Sequence, residues 1–151
     1  MPQSLSNVLV HIVFSTKERQ PLLRDCGIRD ETHKYLGGIS NNLDCPPILV
    51  GGTENHVHLL ARLARTISLA DWIKELKRAS SIWIKTKDPA VEGFQWQAGY
   101  GAFSVSPSQT ARVRQYIAGQ EEHHRRSTFQ DEFRQLLQKH SIEFDERYVW
   151  D

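Results

Sequence analysis

The chain has 151 residues, of which 39% are hydrophobic and 25% are charged, and its formal net charge at pH 7 is +1. This length and balance predict one globular domain that spans residues 1–151, and they argue against a second domain. Because the charges nearly cancel, the net charge by itself argues neither for nor against a polyanionic partner.

The cysteines and the apolar runs exclude several classes of protein. Cys26 and Cys45 are far apart and form no CxxC pair, so neither a zinc knuckle nor a disulfide framework is indicated, and a reducing cytoplasm is expected. The longest apolar run, around Val8 to Phe14, is far shorter than the about 20 residues of a membrane span. The stretch MPQSLSN lacks the basic and apolar regions of a signal peptide. We therefore expect a cytoplasmic protein with no membrane partner.

Residue spacing predicts the elements of the first half of the chain. Residues Val8 to Thr16 are rich in β-branched side chains and bounded by polar residues, which predicts a buried strand. Residues Arg24 to Leu43 have helical spacing, although two adjacent glycines weaken the pattern. The short runs Ile48 to Val50 and His56 to Leu63 flank the turn sequence GGTEN, so an antiparallel hairpin is expected there.

The second half contains three predicted helices and one strand. Ser68 and Asp71 form an N-cap pattern before a helix whose apolar stripe is Leu69, Trp72, Ile73, Leu76 and Trp83. Residues Tyr100 to Ser106 alternate like a strand. The next helix is predicted to start with Ser106 as N-cap, Pro107 at the first position and Gln109 as capping-box partner, and to run to about Arg125. A last helix is predicted from Thr128 to about His140.

The predicted order is β-α-β-β-α-β followed by two helices. This order resembles the ferredoxin-like or RNA-recognition type of α+β fold, in which helices cover an antiparallel sheet. We therefore expect a single α+β domain with two additional C-terminal helices.

Two histidines stand two residues apart in the second strand of the hairpin. Residues i and i+2 of a strand point to one face, so His56 and His58 project side by side and are able to chelate one ion. The alternative is hydrogen-bonded packing, which is common for histidines on a sheet. Leu60 holds the next position in phase, which disfavours the histidine-triad hydrolases, and the second His-x-Thr/Ser element of the two-histidine phosphoesterases is missing.

The helix predicted after Ser106 contains the sequence VRQYIAGQEEHH. Tyr116 and Gln120 are four residues apart and therefore share a helix face, with His123 and His124 about a turn further. A tyrosine hydroxyl and an amide oxygen on that face are able to meet a metal held by the histidines. In the alternative interpretation Tyr116 packs in the core and Gln120 is solvated.

A basic stripe runs along the helix that begins after Ser68. A stripe of this kind can follow a phosphate backbone, but it is also typical of the solvated face of an amphipathic helix. Further basic residues at strand ends favour a basic surface. The candidate DNA-binding residues are Lys17, Arg19, Lys74, Lys77, Arg78 and Lys85.

Four segments together resemble the single-tyrosine HUH transposases of small bacterial insertion sequences, of the IS200-like and repeat-associated kind. They are TKERQP, NHVHLL, WQAGYGAFSVS and YIAGQEEHH, and the similarity extends from about Val8 to Trp150. The resemblance implies that His56, His58 and Gln120 bind a divalent ion, Mg²⁺ or Mn²⁺, and that Tyr116 is the nucleophile that attacks DNA. Asn55 departs from the aspartate that the family often has, which affects the turn and none of these ligands.

The resemblance also implies a substrate and an assembly. Members of the family cleave and rejoin single-stranded DNA with hairpins near its ends, through a 5′-phosphotyrosine intermediate, and they act as homodimers. Two alternatives stay open from the sequence. One is a domesticated relative that cuts dispersed chromosomal repeat palindromes, and the other is a non-catalytic nucleic-acid-binding module on the same fold.

Overall fold

The computed structural model describes residues 2–151 and contains four strands and five α-helices. The strands are β1 (Leu9–Ser15), β2 (Pro47–Gly52), β3 (His56–Arg62) and β4 (Gly101–Val105). The helices are α1 (Cys26–Asn42), α2 (Leu69–Ile84), α3 (Thr110–Ala118), α4 (Gln120–His123) and α5 (Phe129–Lys139). Single 3-10 turns occur at Lys17–Arg19, Pro89–Val91 and Pro107–Gln109. Within residues 2–151, no helix has the length and apolar character that a bilayer crossing requires.

The four strands form one sheet in the order β2-β3-β1-β4, and every neighbouring pair is antiparallel. This is the strand order of the ferredoxin-like fold, so the predicted α+β class is confirmed. The register sets Val13 of β1 opposite His58 of β3 and Ser15 opposite His56. The two histidines therefore lie on an interior strand of the sheet, next to β1.

The two faces of the sheet carry separate cores because successive side chains of a strand alternate. Helices α1 and α2 cover one face, where Ile12, Phe14 and Leu59 pack with helix residues such as Leu36 and Trp72. On the other face, Val13 and Phe103 pack against α5 through Phe129, Phe133 and Leu137. His11, His56 and His58 alternate with residues of the first core, so they belong to the second face, beneath α3, α4 and α5.

Side-chain caps start the two helices on the first face of the sheet, and one of these caps was predicted. The side chain of Ser68 accepts a hydrogen bond of 3.0 Å from the Asp71 backbone N–H, which confirms the predicted N-cap of α2. Helix α1 begins after Asp25, whose carboxylate accepts from the Ile28 N–H. The two adjacent glycines inside α1 do not break it, because packing of its buried face outweighs their low helix propensity.

The predicted helix start at Ser106 is confirmed in part, because Ser106 is the N-cap and Pro107 the first residue of a 3-10 turn that leads into α3. The Ser106 hydroxyl lies 3.1 Å from the Ser108 hydroxyl and makes no capping hydrogen bond, and residues Pro107–Gln109 form the 3-10 turn before α3 starts at Thr110. The predicted single helix to Arg125 is wrong. It ends at Ala118 and resumes as α4, because Gly119 adopts a φ of −93° and a ψ of 17° and acts as the C-cap of α3. Leu43 and His140 adopt nearly the same angles as the C-caps of α1 and α5, so these angles do not require a glycine.

Gly52, at the end of β2, is expected to tolerate no side chain. Its φ is +148°, and a Cβ there would lie 2.2 Å from the His56 carbonyl oxygen. We expect Gly52→Ala to lower the free energy of unfolding by about 3 kcal/mol or more, as measured by urea denaturation. Gly38→Ala is the matched control, since a Cβ at Gly38 meets nothing within 4 Å in the interior of α1. The control should raise stability by about 0.5–1 kcal/mol, and a Gly52→Ala variant as stable as the wild type would contradict this account of the turn.

Candidate metal centre and nucleophile

His56 and His58 lie side by side in β3, and both are fully buried. His56 Nδ1 lies 2.8 Å from Asn55 Oδ1 and 3.0 Å from the Thr53 hydroxyl. Because the amide oxygen only accepts, Nδ1 carries the proton and donates it to Asn55. The opposite nitrogen, Nε2, then presents a lone pair towards α4, as metal-binding histidines do when a neighbouring residue fixes their tautomer.

His58 is held by a third histidine from the next strand. Its Nδ1 lies 2.8 Å from His11 Nε2, and the two rings stack with centroids 5.0 Å apart. His58 Nε2 faces Glu132, with 3.2 Å between Nε2 and Oε1. His11 was not singled out as a site residue from the sequence; its signal was a histidine inside an otherwise apolar buried strand. Its position behind His58 is that of a residue which orients a ligand.

Tyr116 and Gln120 both reach the histidines, although the helix breaks between them. Gln120 is 1% exposed, and its Oε1 lies 2.9 Å from His56 Nε2 and 3.0 Å from His124 Nε2. The Tyr116 hydroxyl donates a hydrogen bond to Glu132 Oε2. The predicted meeting of His56, His58, Tyr116 and Gln120 is therefore present in the structure, within a single chain.

A glycine in β2 permits this approach. A Cβ added at Gly51 would lie 2.8 Å from Ile117 Cγ2 and 3.0 Å from the Ile117 carbonyl oxygen. Ile117 is buried, and it directly follows Tyr116 in α3. The missing side chain therefore allows α3 to lie on the sheet at the distance that brings Tyr116 to the histidines.

Glu132 lies at the centre of a cluster that it forms with Tyr116, Gln120 and the histidines at positions 56, 58, 123 and 124. It was not predicted from the sequence. It is 1% exposed, and the Nε2 atoms of four histidines surround its carboxylate. They are His58 at 3.2 Å, His124 at 3.1 Å, and His56 and His123 at 3.4 Å. Gln120 Nε2 donates to its Oε2 at 2.9 Å. A signal was present, because Glu132 stands with Phe129 and Phe133 on the apolar stripe of α5, where a carboxylate is rarely buried without a partner.

The electrostatics of the cluster keep the His56 imidazole neutral and the Glu132 carboxylate charged. Burial, followed by the effect of His58, lowers the pKa of His56 to about 3. Burial alone raises the pKa of Glu132, but the hydrogen bonds from His124 and His58 outweigh it and hold that pKa well below its usual range. Burial and the nearby Glu132 charge raise the pKa of Tyr116. Neutral imidazole and ionised carboxylate are the forms that bind metal ions.

The cluster fits a divalent ion. His56 Nε2 has no proton to offer, yet it faces two oxygen atoms, Gln120 Oε1 at 2.9 Å and Glu132 Oε1 at 3.4 Å. Three atoms that all carry lone pairs thus converge, and a cation between them would satisfy all three. His56, His58 and Glu132 place ligand atoms within 4.8 Å of one another, close enough to hold one ion. Nitrogen and oxygen donors in this mixture suit Mn²⁺ and related first-row ions, with Mg²⁺ favoured less by the imidazoles.

Acid is expected to destabilise the ion-free protein. The pKa of His56 is about 3 when folded and about 6.5 when unfolded, so the unfolded chain takes up the proton first as the pH falls below 6.5. Between pH 7 and pH 5, this residue alone should lower the free energy of unfolding by about 2 kcal/mol. Urea denaturation in EDTA at the two pH values measures the loss, which should be smaller in His56→Asn. Equal stability at both pH values would contradict the buried neutral imidazole.

The predicted basic stripe lies away from this cluster, because α2 packs on the opposite face of the sheet. Lys17, Lys77 and Arg78 line one groove of about 560 Å³, whereas Lys74 is exposed elsewhere on α2 and Lys85 is exposed directly after its last residue. The Lys77 ammonium donates to the carbonyl oxygens of residues 97, 98 and 99, at 2.9, 3.2 and 2.6 Å. The Arg78 guanidinium donates to Glu75, and that of Arg19 lies 5.6 Å from the Trp150 ring centre.

A second groove leads to the cluster itself. Its volume is about 720 Å³, and Tyr116, His123 and Glu132 lie in its wall. Arg112 and Lys139 line the same groove, so positive charge stands beside the tyrosine. Neither residue was predicted from the sequence as part of the site. Arg112 precedes Tyr116 by four residues in α3, a spacing that places both on one helix face and could have indicated it.

Comparisons with known proteins identify the family and the fold of the chain. The family described as IS200-like transposases matches residues 4–120. A protein of Deinococcus radiodurans R1, for which a transposase function has been suggested, has a similar crystal structure with a TM-score of 0.62 and 25% identity over 80% of this chain and 95% of that one. A REP-associated tyrosine transposase bound to a REP hairpin has a TM-score of 0.58 and 10% identity, over 82% of this chain and 72% of that one. Among curated proteins, no sequence matches the chain.

The match to the family spans all four strands, the histidine pair of β3, Tyr116 and Gln120. The D. radiodurans structure adds the same fold over most of both chains. Together with the site geometry, these matches confirm the family that the sequence resembles. The chain belongs to the IS200-like transposase family.

Proposed function

We propose that this protein cleaves and rejoins single-stranded DNA at hairpin-bearing ends, as a metal-dependent transposase that forms a 5′-phosphotyrosine on Tyr116. One observation carries the proposal: the Tyr116 hydroxyl, both β3 histidines, Gln120 and Glu132 meet in one buried cluster of one chain. The REP-associated tyrosine transposase of similar fold is bound to a hairpin, which supports hairpin DNA as the substrate class.

The residues of the chain divide the chemistry among them. A divalent ion held by His56 and His58, with Gln120 and Glu132, would polarise the scissile phosphate and offset charge in the transition state. Tyr116 supplies the nucleophilic oxygen, and Glu132 Oε2, which accepts its hydrogen bond, orients the hydroxyl. The proton of the hydroxyl leaves to solvent in the groove, which the charge of a bound cation would favour. The tyrosine oxygen forms a bond to phosphorus while the bond from phosphorus to the 3′ oxygen breaks. The 3′ oxygen then receives a proton and leaves as a hydroxyl.

The covalent intermediate explains how strands are rejoined. Because the phosphotyrosine keeps the energy of the phosphodiester bond, a free 3′-hydroxyl can attack it and reseal the DNA without ATP. Tyr116 then recovers its proton. The same cluster therefore serves cleavage and joining, with the two steps running in opposite directions.

The positions of the basic residues suggest where DNA is bound. Arg112 and Lys139 line the groove that contains the Tyr116 hydroxyl, which suits the phosphates next to the cleaved bond. The role of Lys17, Arg19, Lys74, Lys77, Arg78 and Lys85 in binding the hairpin stays a prediction. The homodimer also stays a prediction.

The proposed function is tested by a covalent complex on a denaturing gel. The protein is incubated with Mn²⁺ and labelled single-stranded hairpins, taken either from the flanks of its gene or from dispersed chromosomal repeat palindromes. We expect a covalent protein–DNA band that disappears in EDTA, and the set of hairpins that reacts tells a mobile element from a domesticated enzyme. The same sequences as fully paired duplexes are the control. A band that persists in EDTA, or no band with any hairpin, would contradict the proposal.

A further inference from the structure

The groove that contains the Tyr116 hydroxyl runs between α3 and α5 over β4, and we call it the Tyr116 groove. One wall comes from α3 and the residue before it, at the spacing i, i+3, i+4, i+7: Gln109, Arg112, Val113 and Tyr116. The other comes from α5 at the same spacing: Glu132, Gln135, Leu136 and Lys139. This spacing is one face of a helix. Since seven residues of helix rise about 10 Å, the groove extends about that far from the tyrosine.

Two cations stand in the Tyr116 groove without a carboxylate partner. Arg112 and Lys139 are exposed, and neither forms an ion pair within residues 2–151. By contrast, Arg134 of α5 pairs with Glu146. Cations that are not already paired bind the phosphates of a nucleic acid. The groove therefore offers a phosphate-binding group on each of its walls.

Between these cations the surface of the groove is apolar and aromatic. The His140 ring stacks on Phe103 with centroids 4.7 Å apart and 28° between the ring planes. Burial, together with the neighbouring Lys139, lowers the pKa of His140, so the ring is neutral at pH 7. Val113 and Leu136 are half-buried in the same groove. Unpaired bases stack on surfaces of this kind, and a volume of about 720 Å³ suits a ligand of about one or two nucleotides.

Gln135 is the amide nearest to the reacting end of the groove. It follows Glu132 by three residues on the same face of α5, whereas Gln109 lies at the far end. The Gln135 side chain is exposed and makes no hydrogen bond with another residue between 2 and 151. An amide presents one acceptor and two donors, the combination that pairs with the edge of a base.

The polarity of the proposed reaction determines which strand the groove receives. The 5′-phosphate remains on Tyr116, together with the strand that begins with it, while the strand that ends in the 3′-hydroxyl is released. The Tyr116 hydroxyl meets Glu132 at one end of the groove, and Arg112 lies one helical turn away along α3. A strand that starts at Tyr116 and continues along the groove therefore brings its next phosphates to Arg112 and Lys139.

We propose that the Tyr116 groove binds the first unpaired nucleotides of the strand retained on Tyr116, with Arg112 and Lys139 on their phosphates and Gln135 on the edge of the first base. Gln135 is then a residue that determines specificity for the nucleotide directly after the cleaved bond. A good bidentate pair between an amide and a base discriminates against the wrong base by about 5–150-fold. The identity of the strand rests on the proposed function, but its binding is measured without cleavage.

The test of Gln135 measures the affinity of the full chain, with Mn²⁺, for four 5′-phosphorylated trinucleotides by fluorescence anisotropy. The probes carry dA, dC, dG or dT first, then two thymidines and a 3′ fluorescein. We expect the wild type to prefer one first base by about 5-fold or more, and Gln135→Ala to reduce this preference to less than about 2-fold. Gln138→Ala is the matched control, because Gln138 is exposed on α5 but lies outside the groove, and it should keep the preference.

Arg112→Ala tests the path of the strand. It should weaken binding of all four probes by a similar factor and lower the slope of log affinity against log salt by about 0.7, as expected for one lost phosphate contact with a single strand. Arg114→Ala is the matched control, since Arg114 is exposed in the same helix but lies outside the groove. It should leave both the affinity and the slope at wild-type values.

Equal affinity of the wild type for the four probes, or an unchanged preference in Gln135→Ala, would overturn the role of Gln135. Wild-type affinity in Arg112→Ala would overturn the path of the strand. If these results appear in a protein that forms the covalent complex with hairpin DNA, this inference fails and the proposed function stands. If the complex never forms but Gln135→Ala loses the base preference, the groove is a single-strand site and the transposase chemistry fails.

Discussion

Tyr116→Phe is expected to lower formation of the covalent DNA complex by at least about 10⁴-fold, because the variant lacks the nucleophilic oxygen. Its ring remains to pack against His11, whose centroid lies 6.2 Å away, so the fold and binding of the hairpin should change little. A denaturing gel measures the covalent complex, and a native gel shift with the same labelled hairpin measures binding. The variant should bind hairpin DNA and leave it uncut.

Tyr35→Phe is the matched control for this prediction. Tyr35 lies in α1 and stacks on Trp83 with ring centroids 4.5 Å apart, in the helical layer on the opposite face of the sheet. Removal of its hydroxyl should leave cleavage at the wild-type rate. A Tyr116→Phe protein that still forms the complex would remove Tyr116 from the reaction.

Glu132→Gln is expected to weaken Mn²⁺ binding about 10–100-fold and to lower formation of the DNA complex with it. The substitution keeps the volume of the side chain but removes the charge that four histidine nitrogens surround. It also removes the charged acceptor of the hydrogen bond from the Tyr116 hydroxyl. Calorimetric titration with Mn²⁺ gives the affinity, and the denaturing gel gives the rate.

Asp131→Asn separates this effect from a general loss of negative charge in α5. Asp131 is the neighbouring residue, but it is exposed, and its carboxylate pairs with Arg134 at 3.1 Å. Such a surface pair contributes little, so both the Mn²⁺ affinity and the rate should stay at wild-type values. Wild-type affinity in Glu132→Gln would show that the carboxylate is no ligand.

Local spacing was sufficient to predict part of the site. Alternation in a strand places His56 and His58 on one face, and the four-residue spacing of Tyr116 and Gln120 keeps them together even across the break at Gly119. The helical spacing after Ser106 did not reveal the break itself.

Contacts between distant segments could not be predicted in the same way. Glu132 meets histidines that precede it by as many as 76 residues, as the separation of His56 and Glu132 shows. Glu132 is brought next to these histidines only because the apolar stripe of α5, on which it stands, packs on the sheet. The basic stripe of α2 is a similar case. The helical spacing of its basic residues is visible in the sequence. The position of α2, on the face of the sheet opposite the cluster, depends on tertiary packing.

The central claim is that one chain carries the nucleophile and the metal ligands of a DNA strand transferase. The most direct test is mass spectrometry of the covalent protein–DNA complex after digestion with protease and nuclease. The chain contains four tyrosines, Tyr35, Tyr100, Tyr116 and Tyr148, which fall at separate places in the sequence and are readily told apart. We predict that the peptide carrying the 5′-phosphonucleotide is modified at Tyr116. A nucleotide on any other residue would contradict the account.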